Sequence, residues 1–193
     1  PPGFSFQANF AIVRVMRKDA REKPLNIALI RQRYTDFGGA ERFVTRAMDG
    51  LRQQGLELTI VTRQWTPDNN NQALICNPIY LGSLWRDWSF ARCVCAALEQ
   101  RPFDLVQSHE RIPCCDLYRA GDGVHREWLK QRRRSMGILG KLGISLNLYH
   151  HYTLAAEKKL FASPTLKAVI CNSLMVKEEI QHHFGLPSEK LHV

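Results

Sequence analysis

The chain has 193 residues, with 27 Lys and Arg against 18 Asp and Glu, and a formal net charge of +9. This length fits one domain with a substantial core, and a content of 45% hydrophobic and 23% charged residues excludes wholesale disorder. No apolar run reaches the roughly 18 residues that span a bilayer, which excludes a membrane-spanning helix within the sequence. The excess positive charge indicates one of three partners: nucleic acid, an anionic membrane surface or a phosphorylated substrate.

Short apolar strands alternate with helical patterns from residue 25 onward. Strands are predicted at residues 25–30, 58–61, 73–80, 103–106 and 166–171, with another beginning at 191. Helices are predicted at residues 40–51, 84–98 and 174–184, the last with Ser173 as its N-cap and Gly185 at its end. The apolar stripe of the helix at 84–98 comprises Leu84, Trp88, Ala91, Cys95 and Leu98. This alternation predicts an α/β fold with a Rossmann-like, doubly wound parallel sheet. Ligands of such sheets bind beyond the carboxyl ends of the strands.

The first 24 residues do not share this pattern. We expect residues 1–24 to be an extension that is disordered or artefactual, with Met16 as a possible natural start. The domain then covers residues 25–193. Six cysteines without a C-x-x-C pair favour a reducing compartment, in which they would be free thiols, several of them buried in apolar runs.

A glycine-rich loop follows the first strand. Gly38, Gly39, Ala40 and Glu41 open the first predicted helix, whose N-terminus offers free N–H groups and a positive dipole to a phosphate. The loop does not match the G-x-G-x-x-G dinucleotide fingerprint, so it is either a phosphate or sugar site or an ordinary turn.

Two polar groups lie near the ends of later strands. His109, Glu110 and Arg111 follow the strand at 103–106, where they either recognise hydroxyls and phosphates or form an ordinary charged loop. Further on, Asp122 lies between two glycines, and Asp116 precedes it. The Asp122 carboxylate could orient an acceptor hydroxyl or take its proton, or it could be a solvated turn residue.

Residues 126–161 contain eight cations and only two acidic residues, interleaved with aliphatic and aromatic side chains. Such a mixture is typical of segments that lie in a membrane interface and attract anionic lipids. Nucleic acid and simple packing of a helix pair on the sheet are the alternatives. The predicted membrane surface comprises Trp128, Lys130, Arg132, Arg133, Arg134 and Lys141.

Several segments together resemble the amino-terminal domain of retaining, family-four glycosyltransferases of the GT-B fold. They are residues 26–30, the run Phe37-Gly38-Gly39-Ala40-Glu41-Arg42, residues 62–65, the pattern from Pro113 to Asp122, and residues 169–173. Within the family, the similarity is greatest to enzymes that add glucose to heptose of the lipopolysaccharide core. Ala40 and Glu41 follow the general family loop instead of this subgroup's version, which leaves the donor sugar, the acceptor and the linkage open.

The resemblance implies a function for this chain. It would be the acceptor-side domain of a hexosyl glycosyltransferase, inactive alone because the carboxyl-terminal donor domain is missing. A nucleotide sugar, expected to be a UDP-hexose, would be co-substrate, with no metal or other cofactor. Gly38 and Gly39 would lie near the donor diphosphate, Asp122 would be catalytic, and His109, Glu110, Arg111 and Asp116 would bind the acceptor.

The same resemblance places residues 126–161 on the cytoplasmic face of the inner membrane, where a lipid-linked glycan acceptor resides. The enzyme would thus be cytoplasmic and peripheral. The alternative is a non-catalytic basic module that binds anionic membrane or nucleic acid, of which nucleic acid is the less expected.

Overall fold

The structure, a computed structural model, describes residues 25–33, 56–65 and 72–193. The glycine-rich loop at 38–41, the predicted helix at 40–51 and the extension at 1–24 lie outside the described residues. The prediction of the extension therefore stays untested.

A parallel sheet forms the centre of the described chain. Every neighbouring pair of strands is parallel, and the spatial order is β3-β2-β1-β4-β5-β6-β7. The chain order reverses between β1 and β4, which makes their carboxyl ends the switch point at which such sheets bind ligands. The strands are β1 Asn26–Ile30, β2 Glu57–Thr62, β3 Gln72–Ile75, β4 Leu105–Ser108, β5 Leu117–Ala120, β6 Ala168–Cys171 and β7 Leu191–His192. The predicted Rossmann-like fold is confirmed.

Five α-helices accompany the sheet in the described ranges. They are α1 Gly82–Gln100, α2 His125–Arg134, α3 Ile138–Leu146, α4 Leu148–Phe161 and α5 Leu174–Phe184. A single 3-10 turn, Ser188–Lys190, precedes β7. The segment at 126–161, for which no element boundaries were predicted, consists of three consecutive helices.

Alternate residues of β1 supply the two sides of the core. Ala28 and Ile30 belong to the larger cluster, whereas Ile27 and Leu29 belong to a smaller one on the other face of the sheet. This alternation follows from the two-residue period of a strand. A strand buried on both faces reads as the continuous apolar run seen at 26–30.

Two elements differ from their predictions. The third strand ends at Ile75, five residues before the predicted limit, and residues 76–80 are irregular. In α1, Phe90 and Val94 are the fully buried residues, while Trp88 is 44% exposed although the predicted apolar stripe included it. Ala91 and Leu98 of that stripe do pack against the core, but Trp88 does not, because α1 carries apolar residues on its outer side as well.

A buried arginine that directly follows β2 holds the segment between β3 and α1 in place. The guanidinium of Arg63 donates to the carbonyl of Pro78 at 3.0 Å and to Ser89 Oγ at 2.9 Å, and it lies over the Phe90 ring. Arg63 is 4% exposed, and burial lowers its pKa. These contacts hold the irregular segment before α1 against the sheet.

The cysteines correct a prediction. Cys95 of α1 and Cys114, in the loop after β4, form a disulfide with their Cα atoms 5.7 Å apart. The other four are free: Cys171 is buried as its apolar run predicts, Cys76 and Cys115 are buried too, and Cys93 is only partly buried. The prediction of six free thiols is wrong because the fold joins two residues 19 positions apart that no spacing rule connects. The inference of a reducing compartment loses its basis.

Candidate functional site

The loop after β4 closes onto the end of β1. Its local shape comes from Ser108, whose Oγ donates to the carbonyl of Glu110 at 2.8 Å and accepts from the Glu110 N–H at 2.9 Å. The Glu110 Oε1 then accepts from the backbone N–H of Gln32 at 2.9 Å. This carboxylate therefore bridges the two strands of the switch point.

Burial shifts the pKa values of two predicted site residues. It raises the pKa of Glu110, although the hydrogen bond from Gln32 opposes the rise. Burial, reinforced by the charges of Arg119 and Arg31, lowers the pKa of His109 to about 3. His109 is therefore neutral at neutral pH, and its Nε2 lies 3.3 Å from the Gln107 amide nitrogen.

Arg111 is held by a carboxylate that the sequence did not single out. Its Nε donates to Glu157 Oε1 of α4 at 3.0 Å, and the side chain of Glu157 is 3% exposed. The same carboxylate accepts from the His125 N–H, the first in α2, at 3.0 and 3.2 Å. Burial raises the pKa of Glu157 despite the opposing attraction of Arg111. Glu157 thus fixes both the candidate site loop and the start of α2.

Asp122 lies two residues beyond β5, exposed at the carboxyl edge of the sheet. Burial favours the neutral form of Arg111, but the surrounding groups, Glu157 more than Asp122, raise its pKa overall. The turn after Asp122 is closely packed. A Cβ on Gly123 would lie 2.7 Å from Glu179 Oε2, which accepts from the Val124 N–H at 2.9 Å.

A small cavity of about 40 Å³ opens between the switch point and the helices. Asp87 of α1 connects its walls, accepting from Gln32 Nε2 at 3.0 Å and from the Tyr149 hydroxyl at 3.2 Å. Burial raises the pKa of Tyr149, and that of Tyr152 to about 12, so both phenols remain donors. The lining residues are Gln32, Asp87, Phe90, Glu110, Arg111, Ile112, Tyr149, Tyr152, Thr153 and Ala156.

Sequence reasoning missed Asp87, Tyr149, Tyr152 and Glu157. They lie on helices, and only the packing of α1 and α4 above the switch point brings them to the loop after β4. One feature of the sequence does distinguish Glu157: it is one of only two acidic residues in the basic segment at 126–161.

The structure separates Asp116 from the other predicted site residues. It lies at the amino end of β5, level with Val106, whose N–H donates to Asp116 Oδ2 at 2.8 Å. Asp116 Oδ1 pairs with Lys167 Nζ at 2.9 Å. With both carboxylate oxygens used to join neighbouring strands, Asp116 is a connection within the sheet and not part of the crevice at its carboxyl edge.

The predicted membrane surface is formed by α2 and α3. All six of its residues, Trp128, Lys130, Arg132, Arg133, Arg134 and Lys141, are exposed. The apolar side of α3 is exposed too, with Ile138 at 86% and Leu139 at 85%, while Ile144 packs inward. Across residues 25–33, 56–65 and 72–193, no helix has the length and apolar character needed to cross a bilayer.

An aromatic and imidazole cluster joins α2 to α4. His125 Nε2 lies 3.1 Å from His150 Nδ1, and the Trp128 ring stacks on His125 with centroids 5.4 Å apart. Burial lowers the pKa of His125 to about 4, so this contact forms between neutral rings at neutral pH. The described residues bring together no group of three or more His, Cys, Asp or Glu side chains suited to a metal ion.

Seven parallel strands in this order, with a polar crevice at the switch point, define a Rossmann-like ligand-binding domain. The family model "Glycosyltransferase Family 4" matches residues 37–193. The chain therefore belongs to glycosyltransferase family 4, which confirms the resemblance drawn from its motifs.

A solved structure supports the fold. The chain is similar to WaaG, described as a glycosyltransferase involved in lipopolysaccharide biosynthesis, with a TM-score of 0.72 and 22% identity. The match covers 86% of this chain but 44% of the WaaG chain, so this chain spans less than half of that relative. No curated protein sequence matches.

Proposed function

We propose that this chain is the acceptor-side domain of a nucleotide-sugar-dependent glycosyltransferase that builds lipopolysaccharide core or a related envelope glycan. Family membership and the WaaG-like fold support the general reaction. A UDP-hexose is the proposed donor. Because the chain matches 44% of the WaaG chain, we expect transfer to need a second domain that binds the donor.

The observation that carries this proposal is the crevice at the carboxyl ends of β1 and β4. Its carboxylates, Asp87 and Glu110, can accept from sugar hydroxyls, and the phenol of Tyr152 can donate to a sugar hydroxyl. The Tyr149 hydroxyl, which donates to Asp87, can still accept from one. About 40 Å³ admits a hydroxymethyl group or a pair of hydroxyls, not a whole ring. The crevice therefore suits one edge of a sugar acceptor whose reacting hydroxyl extends outward.

Asp122 and Arg111 are suited to the two charge changes of the reaction. The acceptor oxygen bonds to the anomeric carbon as the bond from that carbon to the diphosphate breaks, and the hydroxyl proton must leave. An exposed carboxylate such as Asp122 can orient that hydroxyl or receive its proton. The Arg111 guanidinium, fixed through Nε by Glu157, can stabilise negative charge nearby.

We further propose that α2 and α3 hold the enzyme on an anionic membrane surface beside a lipid-linked acceptor, at the cytoplasmic face of the inner membrane. Exposed apolar residues between exposed cations favour lipid over nucleic acid, because a nucleic-acid surface gains little from aliphatic side chains such as Ile138 and Leu139. This arrangement would bring the crevice to its substrate.

The test is transfer by the natural protein that contains this chain. Purified enzyme, inner-core lipopolysaccharide and a panel of nucleotide sugars should release nucleoside diphosphate with one preferred donor. Asp122→Asn should lower turnover by about 10²-fold or more. Asp104→Asn is the matched control, because Asp104 lies before β4 at the opposite edge of the sheet, where it accepts from the Asn26 N–H.

Both variants should unfold at nearly the wild-type temperature. Near-normal turnover of Asp122→Asn would remove Asp122 from the mechanism. No transfer to any glycan acceptor would contradict the proposed enzyme and favour a non-catalytic membrane-binding module.

A further inference from the structure

The outer side of α1 begins with an exposed aromatic face. Trp85 and Trp88 are 45% and 44% exposed, and with Arg92 they follow the i, i+3, i+7 spacing of one helix side. Leu81, just before the helix, is 83% exposed. Phe90 and Val94 point to the sheet, so the described core does not cover these indoles. Exposed apolar patches of this kind mark interaction sites.

The helix that carries this face contacts α4, which directly follows the apolar helix α3. Asp87, next to Trp88, accepts a hydrogen bond from Tyr149 at the start of α4. Leu148, adjacent to Tyr149, and Leu146, the last residue of α3, are both mostly exposed. The connections from β3 to β4 and from β5 to β6 advance across the sheet in the same direction. Right-handed crossovers therefore put α1 and α4 on the same face.

Each patch combines an exposed indole with an arginine. The Arg92 guanidinium lies 5.2 Å from the Trp88 ring centroid, and that of Arg132 lies 5.3 Å from the Trp128 ring centroid. Tryptophan with a neighbouring cation suits the boundary between headgroups and acyl chains, where the ring is partly buried and the cation meets phosphate. The two patches thus share this chemistry, and both belong to connections that cross the same face of the sheet.

We propose that the aromatic face of α1, formed by Leu81, Trp85 and Trp88 with Arg92, is a second contact with the anionic lipid surface. It rests on the proposed membrane binding of α2 and α3 and extends it. Two contacts joined through α4 fix the rotation of the domain on the membrane, which one amphipathic segment leaves free. The crevice between α1 and α4 is then held at a constant height above the lipid.

Depth-sensitive quenching of single tryptophans tests this inference. The chain has four tryptophans, so triple Trp→Phe variants can retain only Trp128, only Trp88 or only Trp65. Trp65 is the control, because it packs against the smaller core cluster. On phosphatidylglycerol vesicles that carry brominated acyl chains, the fluorescence of Trp128 and Trp88 should fall by about half, and that of Trp65 should not change.

The outcomes separate the two proposals. Quenching of Trp128 without Trp88 overturns the second contact and leaves the membrane proposal standing. Quenching of neither overturns both. Equal quenching of Trp65 also overturns the inference, because the domain would have opened on the vesicle.

A double variant tests the same inference if the triple Trp→Phe variants do not fold. Trp85→Ser with Trp88→Ser changes only partly exposed side chains, and it should weaken partition into phosphatidylglycerol vesicles at least about threefold. Unchanged partition would contradict the second contact.

Discussion

Glu157 couples two neighbouring parts of the molecule through one buried carboxylate. It accepts one hydrogen bond from the charged side chain of Arg111 and another from the first N–H of α2. A carboxylate forms strong hydrogen bonds with both kinds of donor, a cation and a helix amino terminus. Burial raises the pKa of Glu157, although the attraction of Arg111 opposes the rise. Such a pair contributes little net stability while intact, but removing one partner leaves the other charge buried and unpaired.

Glu157→Gln should therefore destabilise the fold. The amide oxygen can accept one of the hydrogen bonds, but the amide cannot neutralise Arg111, and its N–H₂ group meets a second donor. We expect the free energy of unfolding to fall by about 2–4 kcal/mol. Urea unfolding of the wild type and of the Glu157→Gln variant measures this difference.

Glu178→Gln is the matched control, because Glu178 lies on the exposed side of α5. It should change the free energy of unfolding by less than about 0.5 kcal/mol. If the two variants differ by less than about 1 kcal/mol, Glu157 does not have the role that its contacts indicate.

At the scale of a single element, α5 is specified by its own ends. Ser173 accepts from the Val176 N–H at 3.3 Å, and Gly185 ends the helix in the left-handed region at φ 64°. Between them, Val176 and Ile180 are buried, four residues apart on one side of the helix. N-cap, apolar spacing and terminal glycine agree, which makes α5 a helix whose boundaries depend little on the rest of the fold.

Removal of the N-cap should lower the free energy of unfolding by the contribution of one local hydrogen bond. Ser173→Ala leaves the Val176 N–H without its side-chain acceptor, and we expect a loss of about 1 kcal/mol in the free energy of unfolding. Ser83→Ala, an exposed position in the first turn of α1, controls for the loss of a hydroxyl. Equal effects in thermal unfolding would mean that Ser173 does not act as a cap.

The contrast between α5 and the candidate site explains what the sequence could predict. Strands at 26–30 and 168–171 and both ends of α5 follow from local patterns, so the parallel sheet and its functional edge were predictable. The pairing of Arg111 with Glu157 spans 46 positions and depends on how α4 packs. No local pattern encodes such a contact.

The position of Trp88 and the disulfide were missed for related reasons. A helix that is apolar on two sides gives no single stripe, so the sequence could not tell the outer side of α1 from the side facing the sheet. Cys95 and Cys114 lie on different elements, and only the packing of α1 against the loop after β4 brings their sulfurs together.

For the whole molecule, the placement of charge matters more than its total. The basic end of α2 contributes three adjacent arginines, which are exposed and lie before the apolar side of α3. The carboxyl edge of the sheet instead combines Asp122 and Glu110 with Arg111. Cations are thus concentrated where we propose lipid, and mixed charges where we propose a sugar.

This distribution predicts that membrane affinity depends on position and not on net charge. Replacing Arg132, Arg133 and Arg134 together by Gln removes three of the nine net positive charges. Each basic residue near an anionic surface contributes about 1 kcal/mol, so affinity for phosphatidylglycerol vesicles should fall about 100-fold. The affinity should also become less sensitive to salt, because fewer charges are screened.

The control removes the same charge from other elements: Arg101, Lys167 and Lys177 replaced by Gln. Their contacts within the fold are limited, the clearest being the surface pair of Lys167 with Asp116, which is worth about 1 kcal/mol or less. If membrane affinity follows net charge, both triple variants weaken binding equally. That result would contradict a specific membrane-binding surface on α2. If it follows position, the control stays within about threefold of wild type in vesicle sedimentation at 50 mM and 200 mM salt, because its cations lie outside α2 and α3.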